Sequence, residues 1–202
     1  MIPQAKSTLI RLIAIFSTIL LVAACSTSPQ SRFYLLKAMD TSPSLVNSDF
    51  EGSILIGPVE LPDYIKREEI VFRSDAHRVT VADYDRWAEP LDRHITTLIS
   101  ANLATQFGTS KVIDYYSNFT STPDTTIRIR ITEFNPSPNN EVALSAAWEV
   151  SRREGSEPAV FSKSITVPIV GSDVVSAVEA MNQALNRLSI NISESLTQEA
   201  AI

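Results

Sequence analysis

Apolar residues follow a helical period in two stretches of the chain. The first set lies between Glu89 and Gly108, and Gly108 suits the left-handed residue that follows a helix. Pro90 suits a first helical turn, so the first helix is predicted from about Pro90 to Phe107. The same period returns after Ser172, a candidate N-cap, and predicts a long second helix. The apolar positions are Leu91, Ile95, Leu98, Ile99 and Leu103, then Val174, Val178, Met181, Leu185, Leu188, Ile192 and Leu196.

Strand-like patterns occupy much of the remaining chain. The continuous apolar run at 53–61 is typical of a strand buried on both faces. Residues 126–132 and 141–150 alternate between apolar and polar, and 135–140 is predicted to join them as a hairpin loop. Further strands are predicted at 32–37, 69–73, 78–83, 111–116 and 159–168.

The order of these elements indicates the fold class. Strands come first, then a helix, then a hairpin-rich run of strands and the long helix. Two amphipathic helices cannot cover both faces of a large parallel sheet. We therefore predict an α+β fold in which both helices pack on one face of a mixed, mainly antiparallel sheet. The 202 residues fit one such domain, predicted at 33–198.

The N-terminus is typical of a signal peptide. Lys6 and Arg11 precede a mostly apolar stretch at 12–24, which is shorter than the ~20 residues of a membrane-spanning helix. It ends in Val22-Ala23-Ala24-Cys25, which contains the only cysteine of the chain and resembles the lipobox of bacterial lipoproteins. The resemblance implies cleavage after residue 24 and a diacylglycerol and an acyl chain on Cys25, with 25–32 as lipidated residue and tether. The alternative is an ordinary signal peptide with an incidental cysteine.

Charge and composition exclude several classes of protein. The formal charge is −6 and becomes −8 without residues 1–24, because these carry two cations and no acid, so nucleic-acid binding is not expected. A single cysteine forms no internal disulfide, and neither His77 nor His94 has a partner at metal-ligand spacing. No phosphate-binding loop and no G-x-S-x-G motif occurs. The acids Asp83, Asp85, Glu89 and Asp92 are interpreted as capping and salt-bridging groups. No catalytic, metal or cofactor-binding residue is predicted.

Two segments of the chain resemble the sequence motifs of a known family. These are Gly57-Pro-Val-Glu-Leu-Pro-Asp-Tyr64 and Arg86-Trp-Ala-Glu-Pro-Leu91. Together with the lipobox they resemble the ABC-type transport auxiliary lipoproteins, whose best-known branch is the paraquat-inducible protein C lipoproteins. The resemblance runs from about Phe33 to Leu196. The chain departs from the family at 66–69, where Lys-Arg-Glu-Glu replaces the usual Asp-Arg-Pro-Gln, and this would affect partner choice if the turn is a contact.

The resemblance also implies a function. It suggests a non-enzymatic lipoprotein, anchored by lipid to the periplasmic face of the outer membrane. There it would serve an inter-membrane lipid transport system that contains a mammalian-cell-entry-type tube protein, as a homo-oligomer, and contribute to envelope integrity. Two alternatives are a periplasmic carrier of lipid or a small molecule, with an apolar pocket between helices and sheet, and a hydrolase of envelope polymers. The motif residues are either a partner interface or a signature of the fold: Pro62, Tyr64, Arg67, Arg86, Trp87, Glu89 and Pro90.

Overall fold

A computed structural model of the chain describes residues 29–40, 52–118, 122–153 and 157–200. The predicted signal peptide, Cys25 and residues 26–28 of the tether lie outside these residues. The described part confirms the α+β prediction. Its elements are β1 (Arg32–Tyr34), β2 (Ile54–Glu60), β3 (Glu69–Arg73), β4 (Val79–Trp87), α1 (Leu91–Phe107), β5 (Val112–Asp114), β6 (Thr125–Ser137), β7 (Glu141–Arg152), β8 (Ala159–Pro168) and α2 (Val174–Ala200).

The strands form two sheets of mixed direction. The larger sheet has the order β5-β2-β6-β7-β8, and the smaller has the order β1-β4-β3. In the larger sheet β5 and β6 run parallel to β2, whereas β6, β7 and β8 form an antiparallel meander. In the smaller sheet β1 is parallel and β3 antiparallel to β4. The sequence pattern contains no information on this division into two sheets, because pairing partners are non-local.

The core lies between the larger sheet and the two helices. The helices pack on the same face of this sheet, as predicted, with α1 against β2 and β5 and α2 against β6, β7 and β8. Every second residue of β7, and of β6 as far as Ile131, points into this layer, which explains their alternating sequences. Hydrogen bonds join the layers as well: Val59 N–H donates to Thr96 Oγ1 (3.2 Å), Trp148 Nε1 donates to Ser195 Oγ (3.0 Å), and Arg187 Nη1 donates to the Thr166 carbonyl oxygen (3.1 Å).

The hairpin between β6 and β7 differs from the predicted one. Residues 135–137 continue β6 instead of belonging to the loop, and Asn135 and Pro136 are buried. The register shifts between Ile131 and Glu133, so that Phe134 faces the core where strict alternation would place a polar residue. The connection is a tight turn in which Asn140 has φ 57°, a left-handed conformation that asparagine tolerates.

The helix ends agree with the sequence at α1 and differ at α2. Helix α1 begins at Leu91, directly after Pro90, and Gly108 ends it with φ 60°. The predicted cap Ser172 is one residue too early, because Asp173 Oδ1 accepts the Ser176 N–H (2.9 Å) and thereby caps α2. No helix in the described ranges combines the length and apolar character needed to cross a membrane.

The segment that follows β1 lies across both helices. Lys37 N–H donates to Asn182 Oδ1 (2.8 Å), and Met39 N–H donates to Asn102 Oδ1 (2.8 Å). His94 Nε2 is 3.0 Å from the carbonyl oxygen of Leu36, so this histidine has a structural role. Buried Asn102 also donates from Nδ2 to Asn186 Oδ1 and Ser189 Oγ. The segment is therefore fixed to the body by side chains of both helices.

Candidate functional site

The first motif folds into a bulged strand. The register of β2 against β6 shifts between Ile56 and Val59, so both face the core although they are three residues apart. A bulge tolerates Pro58, whose missing N–H would interrupt a regular ladder. Gly57 is closely packed, since a Cβ there would lie 3.2 Å from the Ile127 carbonyl oxygen. The Gly-Pro pair of the motif thus has a structural reason.

The same bulge turns part of the motif outward. Pro58 and Glu60 lie exposed on the sheet face opposite the helices, and Pro62 follows at the end of the strand. A groove of about 370 Å³ runs beside Pro58, Ala147 and Val160, and Val160 is 70% exposed. A second groove, of about 380 Å³, includes Pro62 and shares Glu60 with the first. We call this surface the outer sheet face.

Two ion pairs cross the outer sheet face. Arg130 Nε is 2.6 Å from Glu60 Oε2, and Arg128 Nη1 is 3.0 Å from Glu149 Oε1. Both arginines lie on the central strand β6, with one glutamate on each neighbouring strand. The sequence analysis did not single out these four residues. Their signal was the polar half of the alternation at 126–132, where arginine occupies two successive outward positions.

Tyr64 has a mainly structural role. It is half-buried, and its hydroxyl donates to Asn135 Oδ1 (2.8 Å). Burial raises the pKa of Tyr64 above its ordinary value, and nearby Arg73 acts in the opposite direction. The carbonyl oxygen of Pro62 accepts hydrogen bonds from the N–H groups of Ile65 and Lys66 (both 3.1 Å). These bonds close the turn at residues 62–66.

Arg67 and Arg86 meet in one partly exposed network. Arg67 Nε is 2.8 Å from Glu69 Oε2, while Arg86 reaches Glu68 (3.3 Å) and Glu69 (3.7 Å). The network therefore joins the turn at 66–69, where the chain departs from the family pattern, to the start of the second motif. Such exposed pairs contribute about 0–1 kcal/mol each to stability.

The remaining members of the second motif divide between core and surface. Trp87 is 4% exposed and its N–H donates to the Glu68 carbonyl (2.7 Å), so it contributes to the core. Glu89 and Pro90 are exposed, and Glu89 Oε1 lies 3.5 Å from His94 Nδ1. The structure thus brings Arg67, Arg86 and Trp87 together around Glu68 and Glu69, and it places Pro62 on the outer sheet face.

Two of the four acids interpreted as capping and salt-bridging groups, Asp85 and Asp92, form salt bridges with Arg or Lys. Asp85 accepts hydrogen bonds from Arg32 and Tyr34, and Asp92 Oδ2 is 3.0 Å from Lys66 Nζ. Within the described ranges no three His, Cys, Asp or Glu side chains converge in a way that could hold a metal ion. The first motif thus contributes exposed residues to the outer sheet face, and the second contributes to the core and to salt bridges.

The two motifs and this fold occur together in one family of proteins. Residues 34–193 match the family of ABC-type transport auxiliary lipoprotein components, and the chain belongs to this family. Among curated proteins it is 25% identical to the intermembrane transport lipoprotein PqiC of Escherichia coli K12 over 128 residues, which are 63% of this chain and 67% of that protein. The PqiC of Shigella flexneri matches to the same extent.

Solved structures share the fold. Protein XCC0632 from Xanthomonas campestris superposes with a TM-score of 0.71 and 13% identity, over 85% of this chain and all of that one. An uncharacterised protein of known crystal structure superposes with a TM-score of 0.69 and 19% identity, over 83% of this chain and 99% of that one. At these identities the likeness concerns the fold alone.

Proposed function

We propose that this lipoprotein is an outer-membrane-anchored accessory subunit of an inter-membrane lipid transport system. It binds the outer end of a mammalian-cell-entry-type tube protein and contributes to envelope integrity, without catalysing a reaction. The observation that carries this proposal is the family match over residues 34–193. The similarity to a protein named as an intermembrane transport lipoprotein supports the same proposal.

The anchor is a diacylglycerol and an acyl chain on Cys25. The run Val22-Ala23-Ala24-Cys25 at the end of an apolar stretch supports this modification, and several acyl chains satisfy the rule that stable anchoring takes more than one lipid. Ser26 after the cysteine favours the outer membrane over the inner one. The folded body then faces the periplasm, where several copies together surround the end of the tube.

The outer sheet face is the docking surface for the tube protein. Parallel strands such as β5, β2 and β6 are usually covered on both faces, yet Pro58, Glu60 and Arg130 are exposed. The surface combines apolar floor residues with balanced charges, because each arginine of β6 has a glutamate beside it. This composition fits a protein partner, whose interface has an apolar centre and a polar rim.

A site-specific photo-cross-linker tests the docking surface. It is placed at Glu60 in the full chain produced in cells, and a matched variant carries it at Gln183, an exposed position on α2. We expect the Glu60 variant to capture a mammalian-cell-entry-type protein and the Gln183 variant to capture much less. Equal capture at both positions, or capture at Glu60 of another copy of this chain only, would contradict docking through this face.

A further inference from the structure

Two apolar side chains are exposed where the folded body begins. Phe33 is 65% and Leu35 is 60% exposed, whereas their neighbours Tyr34 and Leu36 point inward. Residues two positions apart lie on the same side of an extended segment, so both apolar side chains face the same direction. We call Phe33 and Leu35 the N-terminal apolar pair.

The backbone holds this pair outward. Phe33 lies opposite Arg86 in the parallel pairing of β1 with β4, and the Tyr34 carbonyl accepts the Ala88 N–H (2.9 Å). On the other side of the segment, the Tyr34 hydroxyl donates to Asp85 Oδ1 (2.7 Å), and Lys37 N–H is bonded to Asn182. Turning Phe33 and Leu35 inward would break these contacts, so their exposure is a fixed property of the fold.

The position of the pair along the chain limits its distance from Cys25. Eight residue steps separate Cys25 from Phe33. A fully extended chain of this length spans about 26–29 Å. A flexible one has a root-mean-square length of about 15 Å. The headgroup layer of a bilayer is about 5–7 Å thick. Among the described residues, the next exposed large apolar side chain is Val79, 54 positions from Cys25 (79 − 25).

The charge around the pair is also favourable for a membrane surface. Arg32 and Lys37 flank the pair, and each forms an ion pair, Arg32 with Asp85 and Lys37 with Asp40, so the charges nearest the pair balance. Without these two ion pairs the mature chain has 13 cations (15 − 2) and 21 acids (23 − 2), so its excess of acids lies elsewhere. Anionic headgroups repel acids within about a Debye length, and the balanced charges next to the pair keep this repulsion low.

We propose that Phe33 and Leu35 insert into the headgroup region of the membrane that holds Cys25. The inference rests on the proposed lipid anchor and adds a second membrane contact to it. A lipid anchor on Cys25 does not by itself fix the orientation of the body, whereas an additional apolar contact at Phe33 and Leu35 would fix one orientation. The partner of the N-terminal apolar pair is thus the phospholipid bilayer.

Fluorescence quenching by brominated lipid tests this contact. The full chain carrying Phe33→Trp is produced in cells, purified from envelopes and reconstituted in phosphatidylcholine vesicles with or without dibromo-phosphatidylcholine. The native Trp87 and Trp148 are buried, so the emission of the unsubstituted chain is subtracted as background. Val160→Trp is the matched control, since Val160 is as exposed as Phe33 but lies on β8. Mass spectrometry of each sample reports the lipids on Cys25.

The outcomes separate the inference from the anchor on which it rests. We expect brominated lipid to reduce the Phe33→Trp emission about twofold, as for a side chain in the interface, and to leave Val160→Trp nearly unchanged. If the protein is lipidated on Cys25 but the two positions are quenched equally or not at all, the proposed membrane contact of Phe33 and Leu35 is overturned and the lipid anchor is not. Absence of quenching together with a smaller oligomer for Phe33→Trp assigns the pair to a contact between copies instead. Protein without lipid on Cys25 overturns both the anchor and this inference.

Discussion

Arg32 and Asp85 lie opposite each other on the parallel strands β1 and β4 and share two hydrogen bonds. Arg32 Nε is 2.7 Å from Asp85 Oδ1, and Nη2 is 2.9 Å from Oδ2. Asp85 is 6% exposed and also accepts the Tyr34 hydroxyl. Burial raises the pKa of Asp85, but the hydrogen bonds from Arg32 and Tyr34 and the charge of Arg32 outweigh it and hold this pKa below its ordinary value. These contacts fix the first strand after the tether.

Asp85→Asn is therefore expected to destabilise the body. Hydrogen bonds to charged groups contribute about 1.5–3 kcal/mol, and we expect a loss of that order in the free energy of unfolding measured with urea at pH 7. Asp83→Asn, two residues earlier and exposed, is the matched control and should change it by less than about 0.5 kcal/mol. Equal losses for the two variants would show that the Asp85 contacts do not stabilise the fold.

The same carboxylate predicts a dependence on pH. Because its pKa is lowered in the folded state, ionised Asp85 stabilises the fold above the ordinary aspartate pKa of about 3.9, and this contribution is lost as the pH falls further. The wild-type chain should thus lose more stability than Asp85→Asn between pH 5 and pH 3. Parallel pH curves for the two proteins, measured by urea unfolding, would contradict this assignment.

Trp87 tests whether the second motif builds the fold. Trp87→Ala removes a side chain that is almost fully buried, and large-to-small changes of this kind cost about 3–5 kcal/mol. Tyr84→Ala, on the same strand and exposed, should cost far less. Thermal unfolding of both variants measures this difference. A Trp87→Ala protein that melts like the wild type but no longer binds its partner would instead assign Trp87 to the interface.

The hydrogen bond between Trp148 and Ser195 joins β7 to α2. Ser195→Ala leaves the buried Nε1–H of Trp148 without its acceptor and should cost about 1–3 kcal/mol. In the Trp148→Phe background the same serine change should cost less, because no indole N–H remains to be satisfied. A double-mutant cycle by urea unfolding gives this coupling, and additive effects would refute it.

Cys25 is the predicted site of lipid attachment. Cys25→Ala removes the sulfur that would carry the diacylglycerol, so radiolabelled palmitate should no longer be incorporated, and the precursor should stay uncleaved or soluble. Ser26→Ala retains the cysteine and should keep the label. Palmitate in the Cys25→Ala protein would refute the lipobox interpretation.

Local periodicity predicted most elements, and non-local contacts account for the differences. Helix α1 and strand β7 have regular apolar spacing, and the structure forms both nearly within the predicted limits. The alternation stops at the bulge after Ile131, and residues 135–140 are rich in Asn and Pro, which is why a loop is predicted where the structure continues β6. The assignment of Ser172 as the cap was wrong because Asp173, the next residue, is equally suited to capping.

The candidate site was predictable only in part. Sequence resemblance drew attention to Pro62, Arg86 and Trp87, but it left open which of them are buried. That answer depends on contacts between distant residues, such as Tyr64 with Asn135, which are 71 positions apart. The outer sheet face was not predicted as a site, since its charged residues come from strands that are adjacent only after folding.

A pull-down of the full chain from cross-linked envelopes tests the proposed function most directly. Our account predicts recovery of a mammalian-cell-entry-type protein. A charge reversal on the outer sheet face, Arg130→Glu, places a second acid beside Glu60 and should reduce this recovery about tenfold, because an altered charge pattern at an interface disfavours the partner. The matched control is Arg187→Glu on α2, which should recover the partner like the wild type. Recovery of phospholipid with no protein partner would contradict the account and favour a periplasmic lipid carrier.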